Sequence, residues 1–465
     1  MLTSPPTHRR ELRDFGLFVL LFAALAAETF LLPQARAVRP WVQGESIPIL
    51  GLIENEEPSE NPIVEPEGFP YRPPAVGVRF ERAGALDVFF SALHGLENQQ
   101  RTQPVRVLHF GDSTIAADGI PGVVRGRLQK RFGDSGIGYV PVRVDTHWVY
   151  RPGLRREASG DWQTWNLTRG GAPKSRYGLA GMVSSSSGAA RVVLSMKQSD
   201  GKLEIFQSLG LHVLLQPGGG HITLQTPSGL RKTISTHSEV LQDEWVSMDL
   251  PSETTTLRLN TVGDGPVTVF GVSLEKDEPG VVWDTLGVAG SSIGSMARQS
   301  KQHLLESVAA REPSLIVYQT GGNALGYDSF RVGDGSAYKA RYLEIFTRMR
   351  AGAPEASCLI VGPLDQGKRK RGQVFSHPQI ARMIDLQREA AEESGCAFWD
   401  ARAVMGGEGG YSRWMKHEPS LTWTDLMHLS TGGSELVGQR LADAIWLAYG
   451  EWTASKMAVQ SKVLP

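Results

Sequence analysis

The sequence predicts an α/β protein whose parallel sheet is interrupted by an all-β insertion. In residues 79–144 and 281–452, apolar strand-like runs alternate with helical stripes, whereas residues 145–280 contain only short alternating strands. The 465 residues are 41% hydrophobic, enough for a substantial core, and 52 Gly and 27 Pro favour turns. The balance of 48 Lys and Arg against 49 Asp and Glu argues against a nucleic-acid partner.

Residues 1–37 have the features of an export signal. Three arginines precede a 13-residue apolar run, FGLFVLLFAALAA, and residues 35–37 offer a small-x-small cleavage site. Because a spanning helix needs roughly 20 apolar residues, we predict a cleaved signal peptide, with an uncleaved signal anchor in the inner membrane as the alternative. Both interpretations place the folded part in the periplasm or cell envelope. Residues 38–78, rich in Pro and Glu, predict a solvated linker.

The segment before the insertion predicts a strand, a turn and a helix. Residues 105–110 form a short apolar run that ends in the turn Gly-Asp-Ser at 111–113. Beyond the turn, Val124, Leu128 and Phe132 recur at i, i+4 and i+8, the apolar stripe of a helix that lies on a sheet.

The insertion, residues 145–280, predicts a small antiparallel sandwich or jelly roll. Runs such as RVVLSMK, LHVLLQP and HITLQTP are separated by Gly, Ser, Pro and Asp. No apolar stripe of helical length occurs between them, and closely spaced short strands are typical of an all-β domain.

Strand and helix alternation resumes in residues 281–452, followed by a tail at 453–465. The apolar runs VVWDTLGVA, SLIVYQT, CLIVGPL and CAFWDA favour a parallel sheet covered on both faces, whose ligands bind beyond the carboxyl ends of its strands. A last helix is predicted over residues 435–449. Cys358 and Cys396 begin two of these strands, which we interpret as parallel neighbours. A disulfide between them is therefore open in an oxidising compartment, but we predict two buried thiols.

Polar residues follow the carboxyl ends of these strands. Ser113 and Gly290 come after the first two strands, Asn323 after the third, and Asp425 and His428 lie in the last loop. A serine at the start of a helix exposes its hydroxyl and its backbone N–H at the sheet edge. The set predicts Ser113 as nucleophile and His428 as base, with Asp425 as its partner. The predicted oxyanion donors are Ser113, Gly290 and Asn323.

The ordered segments G-D-S, an isolated Gly loop, G-x-N and D-x-x-H resemble the four blocks of the SGNH, or GDSL-like, hydrolase superfamily. The stretch GDSTIAADGIPGVVRGRLQKRFGDSGIGYV and the β-rich insertion resemble the periplasmic peptidoglycan O-acetylesterases, in which the insertion is similar to a carbohydrate-binding module. The resemblance covers most of residues 105–449. It implies a three-layer SGNH fold and a serine esterase that removes O-acetyl groups from a cell-wall polysaccharide through an acetyl-serine intermediate, without a cofactor.

Alternatives to this interpretation stay open. The segment Gly290-Ser291-Ser292-Ile293-Gly294 matches the G-x-S-x-G elbow of α/β hydrolases, with Ser292 as nucleophile. An O-acetyltransferase, or an esterase on another acetylated glycan, would use the same residues, and a non-catalytic glycan-binding protein is a further alternative. With two cysteines and neither CxxC nor HExxH in the chain, no metal site is expected.

Overall fold

A computed structural model describes residues 78–198, 200–325 and 334–463 of the chain. The predicted export signal and all but the last residue of the predicted linker lie outside the described residues. Within those ranges, no helix combines the length and the apolar character that a membrane crossing requires.

The described residues form one parallel sheet, two antiparallel sheets and one small hairpin. In chain order, the strands are β1 (Val105–Gly111), β2 (Gly136–Val140), β3 (Leu154–Ser159), β4 (Gln163–Asn166), β5 (Met182–Ser186), β6 (Arg191–Met196), β7 (Ser208–Leu215), β8 (His221–Gln225), β9 (Arg231–Ser235), β10 (Gln242–Asp249), β11 (Thr256–Thr261), β12 (Val267–Glu275), β13 (Val281–Gly287), β14 (Leu315–Gln319), β15 (Ser357–Val361), β16 (Gly367–Lys370), β17 (Gln373–Ser376) and β18 (Ala397–Trp399).

Helices cover the parallel sheet and connect its strands. In chain order, they are α1 (Asp87–Glu97), α2 (Ser113–Ala116), α3 (Gly119–Phe132), α4 (Ile293–Met296), α5 (Lys301–Arg311), α6 (Ser336–Arg350), α7 (Ile380–Glu393), α8 (Ala401–Val404), α9 (Gly410–Met415) and α10 (Thr431–Val463). The last helix is longer than its predicted range of 435–449, and it takes in most of the predicted tail.

The parallel sheet has the strand order β13-β1-β14-β15-β18. Every position of β14 and β15 is buried, because helices pack on both faces, and this burial explains the continuous apolar runs. Gly111 at the end of β1 aligns with Gly287 of β13 and with Gln319 of β14. The loops that follow these strands therefore meet at one edge of the sheet. The predicted α/β fold with an all-β insertion is confirmed.

The insertion is a sandwich of two antiparallel sheets. One has the order β10-β7-β12-β5-β4, with β2 paired to β12, and the other has the order β3-β6-β11-β8-β9. The apolar side chains that alternate along these strands fill the space between the sheets, among them Leu194, Leu211 and Leu259. β2, which lies upstream of the predicted boundary at residue 145, already belongs to the first of these sheets.

Buried charges join the sandwich to the parallel sheet. Arg311 on α5 donates to Glu275 of β12 at 2.7 Å and to Asp284 of β13 at 2.9 Å. Arg106 of β1 reaches the other oxygen of Glu275 at 2.8 Å. We call these four residues the polar seam. Because each charge is paired, the seam avoids the large penalty of an isolated buried ion.

Cys358 and Cys396 form a disulfide. β15 and β18 are parallel neighbours with Leu359 opposite Ala397, so the cysteines one position earlier face each other across the sheet. The prediction of two unpaired thiols was wrong, because the register of β15 and β18 brings the two cysteines within bonding distance.

Candidate active site

Ser113 is the first residue of α2, directly beyond β1. Asp112 caps this helix, since its side chain accepts a hydrogen bond from the Thr114 N–H at 3.0 Å. Burial raises the pKa of the Asp112 carboxyl in spite of the hydrogen bond from Thr114. The Ser113 Oγ lies 2.8 Å from Nε2 of His428. The strand-to-helix turn thus presents the serine hydroxyl to the histidine.

The loop before α10 holds the histidine and its carboxylate. Oδ2 of Asp425 lies 2.6 Å from Nδ1 of His428, and its Oδ1 accepts from the Met427 and His428 N–H groups at 2.9 and 3.0 Å. Partial burial opposes ionisation of Asp425, but the hydrogen bonds from His428 and Met427 outweigh it and lower the pKa of Asp425. The ionised carboxylate accepts from Nδ1–H, which leaves the Nε2 lone pair facing the Ser113 hydroxyl.

The two further oxyanion candidates lie on neighbouring loops. Asn323 belongs to the 3-10 helix Gly322–Ala324 that follows β14, and its Nδ2 donates to the Ser291 carbonyl at 2.9 Å. Ser113 and Asn323 line one pocket together. Gly290 is not part of that lining, but its loop is held to Asn323 through Ser291. The φ of Gly290, 76°, is a left-handed conformation that favours glycine.

The G-x-S-x-G segment has a structural role at Ser292. Ser292 is buried and caps α4, where its hydroxyl and backbone N–H exchange hydrogen bonds with Ser295 in a capping box. His428 meets the hydroxyl of Ser113 instead. The arrangement does not support Ser292 as nucleophile.

Trp148 is a site residue that the sequence analysis missed. Its ring packs on the His428 ring with centroids 4.6 Å apart, and the Trp423 ring lies 5.8 Å from its own. The segment between β2 and β3 that carries Trp148 is fixed to α2 by a hydrogen bond from the Tyr150 N–H to the Ala116 carbonyl at 3.1 Å. No local pattern marks this contact, because the two rings come from distant parts of the chain.

One cluster in the described residues has the composition of a metal site: His212, Asp243 and His303. Nε2 of His303 accepts from the Gly178 N–H at 2.8 Å, so Nδ1 carries the proton that it donates to Asp243 at 2.5 Å. Arg176 also pairs with Asp243, at 2.6 Å. Because His303 is fully engaged and an arginine neutralises the carboxylate, the cluster suits a contact between sandwich and α5 better than a cation.

Comparison with known proteins defines the class of this molecule. Residues 260–436 match the family model of the GDSL-like lipase/acylhydrolase family. The matched range contains Gly290, Asn323, Asp425 and His428, while Ser113 lies before the insertion. Together with the parallel sheet, the match shows an acylhydrolase domain of the SGNH type, and the chain is a carboxylic ester hydrolase. The resemblance seen in the four sequence blocks is confirmed.

Among solved structures, a peptidoglycan O-acetylesterase is similar with a TM-score of 0.66 and 20% identity, over 79% of this chain and 97% of that one. The acetyl xylan esterase AlAXEase has a TM-score of 0.27 and 18% identity, over 36% of this chain and 82% of that one. An acetylxylan esterase from Geobacillus stearothermophilus has a TM-score of 0.26 and 19% identity, over 37% of this chain and 74% of that one. No curated protein matches the chain in sequence. The first comparison shows a shared fold. Because the similarity covers 79% of this chain, the shared fold includes residues of the sandwich as well as of the parallel-sheet domain.

Proposed function

We propose that this protein is a serine esterase that removes O-acetyl groups from peptidoglycan. The observation that carries the proposal is the hydrogen-bonded chain from Ser113 through His428 to Asp425, with distances of 2.8 and 2.6 Å. The choice of peptidoglycan is supported by the fold shared with a peptidoglycan O-acetylesterase, which extends over 97% of that protein.

The reaction proceeds through an acetyl-serine intermediate. Ser113 Oγ attacks the acetyl carbonyl while Nε2 of His428 takes its proton. The N–H groups of Ser113 and Gly290 and the Asn323 side chain donate to the oxyanion. The sugar oxygen leaves with the proton from His428, and the histidine then deprotonates a water that releases acetate. Asp425 stays ionised and holds the imidazole in position throughout.

The proposed reaction takes place outside the cytoplasm, in the periplasm or cell envelope. Residues 1–37 support export, either as a cleaved signal or as a membrane anchor. The Cys358–Cys396 disulfide also supports it, since disulfides persist mainly in oxidising compartments.

Acetate release from O-acetylated peptidoglycan and from acetylated xylan tests the proposal. We expect Ser113→Ala to lower kcat on peptidoglycan by about 10⁴-fold. Ser292→Ala is the matched control, because it removes a buried serine hydroxyl that caps a helix, and it should keep kcat. Loss of activity in Ser292→Ala alone would favour the G-x-S-x-G elbow.

Three other outcomes would contradict the proposal in different ways. Acetate from xylan but not from peptidoglycan would show another glycan as substrate. Accumulation of a newly acetylated glycan in place of acetate would show a transferase. Hydrolysis of a small acetyl ester that is unchanged in Ser113→Ala would show that this serine does no catalysis.

A further inference from the structure

The strands β16 and β17 form a basic hairpin at the surface. Four consecutive cations, Lys368, Arg369, Lys370 and Arg371, are all exposed. Within the described ranges, none of the four makes an ion pair with an acidic side chain. Since the whole chain has a formal charge of -1, this local excess of positive charge is a distinct feature of the surface.

The hairpin rises from the wall of the active-site pocket. Gln366, directly before β16, lines the pocket together with Ser113. The Gly367 N–H donates to the Leu426 carbonyl at 2.8 Å, in the loop that carries the catalytic histidine, and the His377 N–H closes the hairpin base on the Gln366 carbonyl at 2.7 Å. With a strand rise of about 3.3 Å per residue, Lys368 lies only about 7 Å along the chain from Gln366.

The two faces of the hairpin differ in chemistry. On one face, Arg369 lies opposite Val374 in the strand register. Because Val374 packs on the core, this face turns toward the body of the protein. The opposite face carries Lys368 and Lys370, with Phe375 directly across from Lys368. Phe375 is 49% exposed. Two ammonium groups and an exposed ring therefore share one solvent-facing surface.

We propose that this face of the hairpin binds the carboxylates of an acidic glycan and holds that glycan against the active site. Ammonium groups pair with carboxylates, and the flat Phe375 ring offers an apolar surface to the C–H face of a sugar. The inference rests on the proposed function, because the peptide stems of peptidoglycan carry such carboxylates close to its sugars. The occupant is the acidic substrate chain itself, chosen by charge complementarity.

The first test measures binding without catalysis. Soluble peptidoglycan fragments that have lost their O-acetyl groups are titrated by calorimetry into the full chain at low and at high salt. We expect K368Q/K370Q to weaken binding about tenfold and to flatten its salt dependence, because exposed charges are screened by ions. F375A should weaken binding at both salt concentrations. K130Q/K301Q, which removes two exposed cations from α3 and α5 of the parallel-sheet domain, is the matched control and should bind as the wild type does.

The second test is kinetic. For O-acetylated peptidoglycan fragments, KM of K368Q/K370Q should rise about tenfold with kcat unchanged, since rim charges act on encounter and binding. Turnover of neutral p-nitrophenyl acetate should equal that of the wild type, which also shows that the variant is folded.

Specific results would overturn the inference. One such result is that K368Q/K370Q binds the acidic fragments as tightly as the wild type does. Another is that the variant loses as much affinity for neutral chitin oligosaccharides as it loses for the acidic fragments. Loss of binding to phosphatidylglycerol vesicles with glycan binding intact would show a membrane surface instead. Failure of the proposed function has a different signature: the wild type would release no acetate from peptidoglycan, while the hairpin variant would still lose binding to the acidic fragments.

Discussion

Leu426 gives the loop of Asp425 and His428 its geometry. Its φ of 68° is left-handed, which is uncommon for a residue with a branched side chain. The tight turn lets one carboxylate of Asp425 accept from the Met427 and His428 N–H groups as well as from the imidazole. These hydrogen bonds keep the pKa of Asp425 low in a half-buried position. A single short segment thereby supplies both the proposed base, held in one orientation, and its counter-charge.

Gly290 allows a test of backbone conformation at the proposed oxyanion site. A Cβ at this position would meet no atom closer than Thr168 Cγ2 at 4.0 Å, so Gly290→Ala creates no clash. The φ of 76° at this position nevertheless costs an alanine about 1 kcal/mol. We expect the loop to relieve this strain by turning the N–H of residue 290 away from the oxyanion. We expect a fall in kcat on p-nitrophenyl acetate of about tenfold or more. Gly294→Ala, in the neighbouring helix, should keep full kcat; an unchanged kcat in Gly290→Ala would remove that amide from the mechanism.

The segment between β2 and β3 reaches from the insertion to His428, and Trp148 makes that contact. The ring separation of 4.6 Å lies in the range of favourable aromatic packing. We expect Trp148→Ala to lower kcat about tenfold, because His428 loses the surface that holds its ring in line with Ser113. Trp148→Phe should recover much of the loss, and steady-state kinetics on a small acetyl ester would measure both.

Tyr150→Ala provides the control for this contact. Tyr150 is an exposed aromatic residue of the same segment, and its side chain can be removed while its backbone hydrogen bond to α2 remains. Equal effects of Trp148→Ala and Tyr150→Ala would show that the segment, and not the ring on His428, matters for catalysis.

The disulfide ties β15 to the edge strand β18. Its two cysteines are 38 positions apart. Closing a loop of that length lowers the conformational entropy of the unfolded chain, which corresponds to about 4 kcal/mol of unfolding free energy. We expect dithiothreitol to lower the unfolding free energy of the wild type in urea by about this amount. The double variant C358S/C396S should be less stable and insensitive to the reductant. A wild type that unfolds identically in both conditions would contradict a stabilising role.

At the scale of the molecule, the sequence predicts best those residues whose loops are brought together by neighbouring parallel strands. Ser113, Asn323 and His428 are recognisable because each follows a buried strand or precedes the last helix, and the common register places their loops at one edge. The Trp148 contact escapes prediction, since it depends on which segments become neighbours in space. The polar seam escapes for the same reason: its four charges lie in four separate segments and look like surface residues in the sequence.

The polar seam predicts how the stability of the whole molecule depends on pH. Burial opposes ionisation of Glu275, but Arg311 and Arg106 outweigh it and lower its pKa from 4.5 to about 2. A carboxyl with a depressed pKa in the folded state stabilises the fold above its unfolded pKa, and this contribution disappears as pH falls through the folded value. The stabilisation, about 3 kcal/mol, should therefore be complete above about pH 4.5 and be lost toward about pH 2.

Glu275→Gln should destabilise the protein by about 3 kcal/mol at neutral pH, because Arg311 then has one buried carboxylate fewer. Urea unfolding followed between pH 5 and pH 2 should show a smaller loss of stability in this variant than in the wild type, since the titrating group is gone. Glu451→Gln, which breaks the exposed pair with Arg79, is the control and should change the unfolding free energy by less than about 1 kcal/mol. A wild type and a Glu275→Gln variant with the same slope of stability against pH would show that another group is responsible for the acid sensitivity.

The sandwich and the parallel sheet share these buried charges, so we expect both to lose their structure in the same acid transition.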